Sequence, residues 1–108
     1  MKLEYVKALF REFNSTFFGG ALTEPTIRLT RATKTHGYFS VTESSGAPLL
    51  RISSRINSDP GVLRDTLLHE MVHQYLWETG IYGWETHGEA FINEASRIGI
   101  EPFGHDYE

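Results

Sequence analysis

Hydrophobic residues recur at helical spacing in the first eighteen positions of the chain. They stand three or four positions apart with charged residues between them, which is typical of a helix that buries one face. Gly19 and Gly20 follow directly, and glycine commonly ends helices because it adopts backbone conformations that other residues avoid. The pattern predicts an amphipathic helix over residues 3–18. Its buried face consists of Leu3, Val6, Leu9, Phe10, Phe13 and Phe17.

Three short runs after this helix show the alternation of apolar and polar residues that is typical of β-strands. They cover residues 26–31, 37–42 and 49–53. The six residues between the last two runs are turn formers such as serine, glycine and proline, so we expect these two strands to form a hairpin.

A strong helix start follows the third strand. Asp59 stands immediately before Pro60, and aspartate caps helices with its side chain while proline is favoured in the first helical position. Apolar residues then continue to about Glu78 and occupy most of the helix circumference, as they do in a buried helix. The pattern predicts a buried second helix over residues 60–78.

A final helix is predicted after a glycine-containing turn at residues 80–83. Thr86 and Glu89 have the T-x-x-E spacing of a capping box, in which two side chains satisfy backbone N–H groups at the start of a helix. Gly99 is the expected C-terminal cap. The order of elements is α-β-β-β-α-α, an α+β fold, and the length of the chain fits one domain over residues 1–108.

Composition excludes several chemistries. The chain has no cysteine, so disulfides and a thiol nucleophile are excluded and any metal must be bound by nitrogen and oxygen. It shows no secretory signal and no apolar run of the roughly 20 residues that a membrane span needs, so we expect a cytoplasmic protein without membrane contact. The formal net charge of -4 does not favour association with DNA.

The chemistry of the chain is concentrated in His69, Glu70 and His73, which form an H-E-x-x-H motif on the second predicted helix. Residues four apart lie on one helix face, so the two imidazoles can converge on one zinc ion. Glu70 lies beside them and can accept a proton from water that zinc acidifies. The simpler interpretation is two ordinary histidines, but a buried His-Glu-His cluster needs a partner to offset its desolvation. The motif therefore favours zinc-dependent hydrolysis.

Two residues are candidates for the third ligand that a catalytic zinc generally has. His87 lies at the start of the final helix, and Glu94 lies two turns further along. About 10.5 Å of helix separates them, so they cannot both bind one ion. We favour His87, because the short turn brings the start of the helix directly to the metal. Glu94 is then a solvent-exposed carboxylate or one that accepts a hydrogen bond from a ligand histidine.

Several segments resemble the SprT-like family of zincin metallopeptidases. Residues 13–22 resemble the family's N-terminal helix with its F-F-G-G exit, residues 34–39 its K-x-x-G-x-F strand, and residues 65–73 the approach to its active-site helix. His87 begins a segment similar to H-G-x-x-F, whose histidine is the family's third zinc ligand. The resemblance spans about residues 9–98.

The resemblance implies a zincin-like minimal metallopeptidase domain with an N-terminal helix, a small three-stranded sheet, an active-site helix and a C-terminal helix. It implies a Zn²⁺ cofactor held by His69, His73 and His87. It further implies Glu70 as the catalytic general base, a protein or peptide substrate, and action on DNA-associated proteins.

Two other interpretations remain open. In the first, the chain is a non-catalytic module that zinc stabilises and that binds a protein or DNA; Glu70, which zinc binding does not require, favours the enzyme instead. In the second, the chain is a latent peptidase whose residues 100–108 fold over the zinc, since His105, Asp106 and Glu108 are of ligand type.

Overall fold

A computed structural model describes residues 1–102 of the chain, so the tail residues His105, Asp106 and Glu108 lie outside the described part. Three helices and three strands occur in the predicted order, which confirms the α+β class. A 3₁₀ turn at Ile56–Ser58 precedes the second helix. The elements are α1 (Leu3–Phe18), β1 (Thr26–Thr30), β2 (Gly37–Val41), β3 (Pro48–Ser53), α2 (Pro60–Glu78) and α3 (Glu89–Ile98).

The sheet has the strand order β1-β3-β2. β2 and β3 pair antiparallel, which confirms the predicted hairpin, while β1 pairs with β3 in the parallel direction. The chain therefore crosses from β1 to the far edge of the sheet and returns through the hairpin to its centre. β2 is left as an edge strand that has β3 as its strand neighbour within the described residues.

The second helix packs against one face of this sheet. Every residue from Thr66 to Gln74 is buried, as the apolar pattern around the helix predicted. The side chains of Ile27, Leu50 and Phe39 are buried with it, so burial of apolar area stabilises the contact between helix and sheet. The polar residues of the central turns of α2 are thereby removed from solvent. None of the helices in the described part is long and apolar enough to cross a membrane.

Polar contacts fix the start of α2 and its position against the sheet. The Asp59 carboxylate accepts hydrogen bonds from the N–H groups of Gly61 and Val62 at 2.8 and 3.1 Å, as a helix cap. The buried side chain of Asn57 donates to the His36 carbonyl at 2.8 Å and accepts from the Thr66 hydroxyl at 2.8 Å. Through the side chain of Asn57, these bonds join the segment before β2 to α2.

The predicted capping box at Thr86 is wrong. Helix α3 begins at Glu89 after Gly88, and no side chain caps it. The Thr86 hydroxyl instead donates to the Gly83 carbonyl at 2.8 Å and accepts from the Gly88 N–H at 3.3 Å, because threonine readily bonds to a nearby turn of the backbone. His87 consequently lies in the loop before α3 rather than in its first turn. Gly99 caps the far end with a φ of 81°, as expected.

Candidate metal site

The structure brings His69, His73 and His87 together. The first two come from successive turns of α2, and His87 comes from the loop before α3. The Nε2 atom of His87 is 3.2 Å from Nε2 of His69 and 3.2 Å from Nε2 of His73. Within residues 1–102 this is the one group of three or more ligand-type side chains close enough to hold a metal ion, with its ligand atoms within 4.8 Å of one another.

The three nitrogens fit an ion of the size of zinc. Tetrahedral coordination with zinc–nitrogen bonds of about 2.0–2.1 Å places ligand nitrogens about 3.3 Å apart, which is close to both 3.2 Å separations. Imidazole is a preferred ligand of zinc and of several other divalent transition metals. The donor set and its spacing therefore suit a divalent ion that takes nitrogen ligands.

The electrostatics of the two helix histidines favour metal binding. Burial, together with the smaller effects of the neighbouring His73 and His87, lowers the pKa of His69 to about 3. Burial also lowers the pKa of His73, against an opposing effect of the Trp84 carbonyl and the carboxylate of Glu85. Both imidazoles are therefore neutral at physiological pH, and a neutral imidazole is the form that coordinates a metal.

The loop between α2 and α3 orients one of these rings. The Nδ1–H of His73 donates to the Trp84 carbonyl at 2.8 Å. Because Nδ1 carries the proton in this bond, the lone pair of the ring is on Nε2, which faces His87. Trp84 thus contributes its backbone carbonyl to the site, and no motif in the sequence predicts this role.

The ring of Phe91 packs against the rings of all three histidines. Its ring centroid lies 4.8 Å from that of His69, 4.7 Å from that of His73 and 4.9 Å from that of His87. This residue was not among the candidate site residues that the sequence predicts. The signal that could have identified it is its position four residues after His87, in the segment that resembles H-G-x-x-F.

The carboxylate of Glu70 is held by the edge strand. Glu70 has no exposed surface, and its Oε1 accepts a hydrogen bond from the backbone N–H of Phe39 at 3.1 Å. Gly37, at the start of β2, permits the close approach of this strand to α2. A Cβ atom there would lie 3.0 Å from Cγ2 of Thr66 and 3.3 Å from Cγ of Glu70.

A cleft of about 440 Å³ opens beside these residues. Residues 38–41 of β2 line it, together with Glu70, His73 and the loop residues Trp84 and Glu85. The candidate base and one histidine of the group therefore face the same space, which is large enough for part of a peptide chain.

Glu94, the alternative third ligand, lies outside the histidine group. Its side chain is buried rather than solvent-exposed, and its carboxylate oxygens accept hydrogen bonds from Arg97 at 2.9 and 2.5 Å. Arg97 also donates to the Phe17 carbonyl at 2.8 Å. The expectation of a solvent-exposed carboxylate is therefore wrong: Glu94 bonds to Arg97, which joins α3 to the end of α1.

The fold and the site define a small α+β protein with a three-histidine group that could hold a metal ion. The chain belongs to the SprT-like family, whose model matches residues 6–105, and this confirms the resemblance seen in the sequence. It is also similar to the DNA-dependent metalloprotease SPRTN of Xenopus tropicalis, at 35% identity, with 86% of this chain and 22% of that protein covered. The chain thus spans about a fifth of the length of this relative.

Proposed function

We propose that this chain is a zinc-dependent metallopeptidase that hydrolyses peptide bonds in protein substrates, with His69, His73 and His87 as the metal ligands. The observation that carries the proposal is the approach of three imidazole Nε2 atoms, two pairs of them at 3.2 Å, beside a buried glutamate. Membership of the SprT-like family supports it, since the similar Xenopus protein is named a metalloprotease.

Glu70 is the general base of this proposal. The chemistry that zinc supplies when bound is Lewis acidity, which polarises a peptide carbonyl and lowers the pKa of nearby water to about 7. Glu70 accepts a proton from the attacking water and passes it to the leaving amine. The hydrogen bond from Phe39 at 3.1 Å holds its carboxylate at the cleft while it does so.

The cleft suits an extended segment of a protein substrate. Residues 38–41 of the edge strand β2 line it, and the side of β2 away from β3 pairs with no other strand in the described part of the chain. Backbone groups at such an edge can bond to an incoming extended chain. We extend the proposal to proteins associated with DNA because the similar Xenopus protein is named DNA-dependent.

The test is casein hydrolysis by the zinc-loaded chain, measured together with zinc stoichiometry. We expect hydrolysis that a chelator abolishes and that added zinc restores. Glu70→Gln should keep one zinc per chain and lose about 10²–10⁴-fold in rate, because it cannot accept the proton. A wild-type protein that binds zinc and cleaves no protein would instead support the non-catalytic zinc-stabilised module.

A further inference from the structure

A second hollow, of about 410 Å³, lies at the end of the sheet where β1 and β3 begin. Thr23, Pro48, Trp77 and Glu78 line it. Pro48 is the first residue of β3, and Trp77 and Glu78 are the last two residues of α2. We name this space the Trp77 hollow. None of the three candidate metal ligands lines it, so the proposed chemistry leaves it without a role.

The carboxylate of Glu78 is held in place by neutral groups. Its Oε2 accepts hydrogen bonds from the Thr23 N–H at 2.9 Å and from the side-chain amide of Gln74 at 2.7 Å. Its Oε1 accepts from the Thr23 hydroxyl at 2.9 Å. The Gln74 amide also donates to the Thr23 carbonyl at 2.6 Å. These bonds join the loop before β1 to α2 and fix the orientation of a negative charge at the hollow.

The charge of Glu78 is not compensated by a cation. Within residues 1–102 Glu78 forms no ion pair, whereas its neighbour Glu24 is paired with Arg11. Glu78 also lies in the last turn of α2, which contains no basic residue, and the helix dipole disfavours a carboxylate at that end. A cation bound in the hollow offsets both the carboxylate charge and the dipole.

The indole of Trp77 adds a second element of a cation site. The side chain is half-buried, packs against Phe39 at a centroid distance of 5.9 Å and lines the hollow. Tryptophan is the aromatic residue that attracts ammonium and guanidinium groups most strongly. Pro48 provides an apolar wall of the kind along which lysine and arginine bury their aliphatic stems. The hollow therefore suits a basic side chain.

The Trp77 hollow adjoins the cleft of the candidate active site. Pro48 of the hollow pairs in register with Val41 of the cleft, and Trp77 contacts Phe39, which also lines the cleft. Phe39 and Val41 are two strand residues apart, or about 7 Å. Trp77 lies one helical turn after His73, or about 6 Å. An extended polypeptide in the cleft can therefore place a side chain at the hollow.

We propose that the Trp77 hollow is a specificity subsite, which binds the lysine or arginine side chain of a substrate about two to four residues from the scissile bond. The Glu78 carboxylate binds the charged group, and Trp77 and Pro48 enclose the aliphatic stem. The position relative to a scissile bond rests on the proposed peptidase function. Binding of a basic side chain by the hollow does not.

The test of binding is a titration of the zinc-loaded Glu70→Gln chain, in which peptides should not be cleaved, followed by amide and indole N–H chemical shifts. The peptides are blocked and differ at one position, which carries lysine or norleucine. Norleucine keeps the aliphatic stem and lacks the charge. We expect the lysine peptide to shift the Thr23 amide and the Trp77 indole and to bind about fivefold more tightly. An arginine peptide should behave like the lysine peptide.

Variants made in the same background locate the binding. Glu78→Gln should weaken binding of the lysine peptide by about tenfold, because a charged hydrogen-bond partner is lost. Trp77→Leu should weaken it by about fivefold, whereas Trp77→Phe, which keeps an aromatic ring, should lose less. The matched control is Glu12→Gln, which changes the net charge equally at an exposed position of α1 and should leave binding unchanged.

Two results would overturn the proposal. One is equal affinity for the lysine and norleucine peptides, a comparison that needs no variant in the hollow and so does not depend on whether Glu78→Gln folds. The other is equal loss of affinity in Glu12→Gln and Glu78→Gln, because the chain would then attract the peptide by its net charge alone.

Hydrolysis by the zinc-loaded wild type tests the position of the subsite. In peptides with one lysine moved along the sequence, kcat/KM should rise by about fivefold when the lysine lies two to four residues to one side of the cleaved bond, and Glu78→Gln should remove this gain. A gain at every position would reject the subsite. Lysine-specific binding without hydrolysis of any peptide would reject the peptidase alone, and hydrolysis without lysine-specific binding would reject the subsite alone.

Discussion

The backbone N–H of Phe39 donates to Oε1 of Glu70 across 3.1 Å, and this bond joins the edge strand of the sheet to the motif on α2. The side chain of Phe39 also packs against Trp84, at a centroid distance of 5.8 Å, and the Trp84 carbonyl orients His73. One residue of β2 thus contacts both the candidate base and the loop that supports the metal site. The bond to Glu70 is direct, whereas the contact with His73 passes through Trp84, so a displacement of β2 should reduce catalysis more than it reduces metal binding.

Gly37→Ala tests this relationship. The added Cβ would lie 3.0 Å from Thr66 Cγ2 and 3.1 Å from the Arg51 carbonyl oxygen, so β2 must move away from α2 and the bond from Phe39 to Glu70 must lengthen. We expect kcat for casein to fall by about ten- to hundredfold, as for small displacements of catalytic groups, while zinc stoichiometry stays unchanged. Steady-state kinetics and metal analysis measure the two effects.

The control for this prediction is the double variant Gly37→Ala with Thr66→Ser. It removes the methyl group nearest to the new Cβ and retains the hydroxyl that bonds to Asn57, so part of the lost kcat should return. A single variant with wild-type kcat would contradict the role of Gly37, as would a loss explained entirely by reduced zinc content.

The third ligand is tested by a pair of alanine variants. His87→Ala should release zinc to a chelator that leaves the wild type loaded, because it removes one of three nitrogens of the site. Glu94→Ala should keep its zinc and lose about 1–3 kcal/mol of stability, because Arg97 loses its charge-assisted hydrogen bonds. Zinc analysis and urea unfolding distinguish the two. The opposite pattern of zinc loss would make Glu94 the ligand.

What the sequence predicted well depended on local geometry. The spacing of His69 and His73 places both on one face of any α-helix, and the Asp59 cap acts through the next two or three residues of the chain. The element order and the burial of α2 followed from hydrophobic periodicity, and the hairpin followed from the turn-forming residues between its strands. These signals also act between residues that are close in the sequence. Strand bounds differed from the structure by one residue.

What the sequence did not predict depended on tertiary contacts or on competing local bonds. The partner of Glu70 is a backbone N–H of an edge strand 31 positions away, and backbone donors carry no signal in a sequence. The Thr86 hydroxyl could bond either to the turn before it or to the first turn of α3. It bonds to the Gly83 carbonyl and does not cap the helix. The net charge of the whole chain does not indicate the basic face of the sheet. That face can be recognised only once the pairing of Arg28 with Arg51 is known.

The metal-free protein should lose stability as the pH falls. Burial lowers the pKa of His69 from about 6.5 in the unfolded chain to about 3 in the folded one. Between these values the unfolded state binds the extra proton, so the stability is complete above about pH 6.5 and falls with decreasing pH, by at most about 1.4 kcal/mol per unit for this residue. The lowered pKa of His73 acts in the same direction.

Urea unfolding in the presence of a chelator, over the range from about pH 7 to about pH 5, measures this loss. His69→Gln, which cannot titrate, should show a smaller dependence on pH than the wild type. Metal-free stability that is constant or rises on acidification would contradict the burial of a neutral His69.

Phe91 should strengthen zinc binding although it offers no ligand atom. Its ring contacts all three histidines at centroid distances of 4.7–4.9 Å, and packing that restricts ring orientation lowers the entropy lost when a ligand set binds a metal. Phe91→Leu keeps the site apolar but removes the flat surface, so zinc affinity measured by chelator competition should fall by about tenfold. Phe13→Leu is the matched control, because Phe13 is also buried and lies on α1. Both variants should lose stability, and only the first should lose affinity for zinc; equal affinities would show that Phe91 contributes to packing alone.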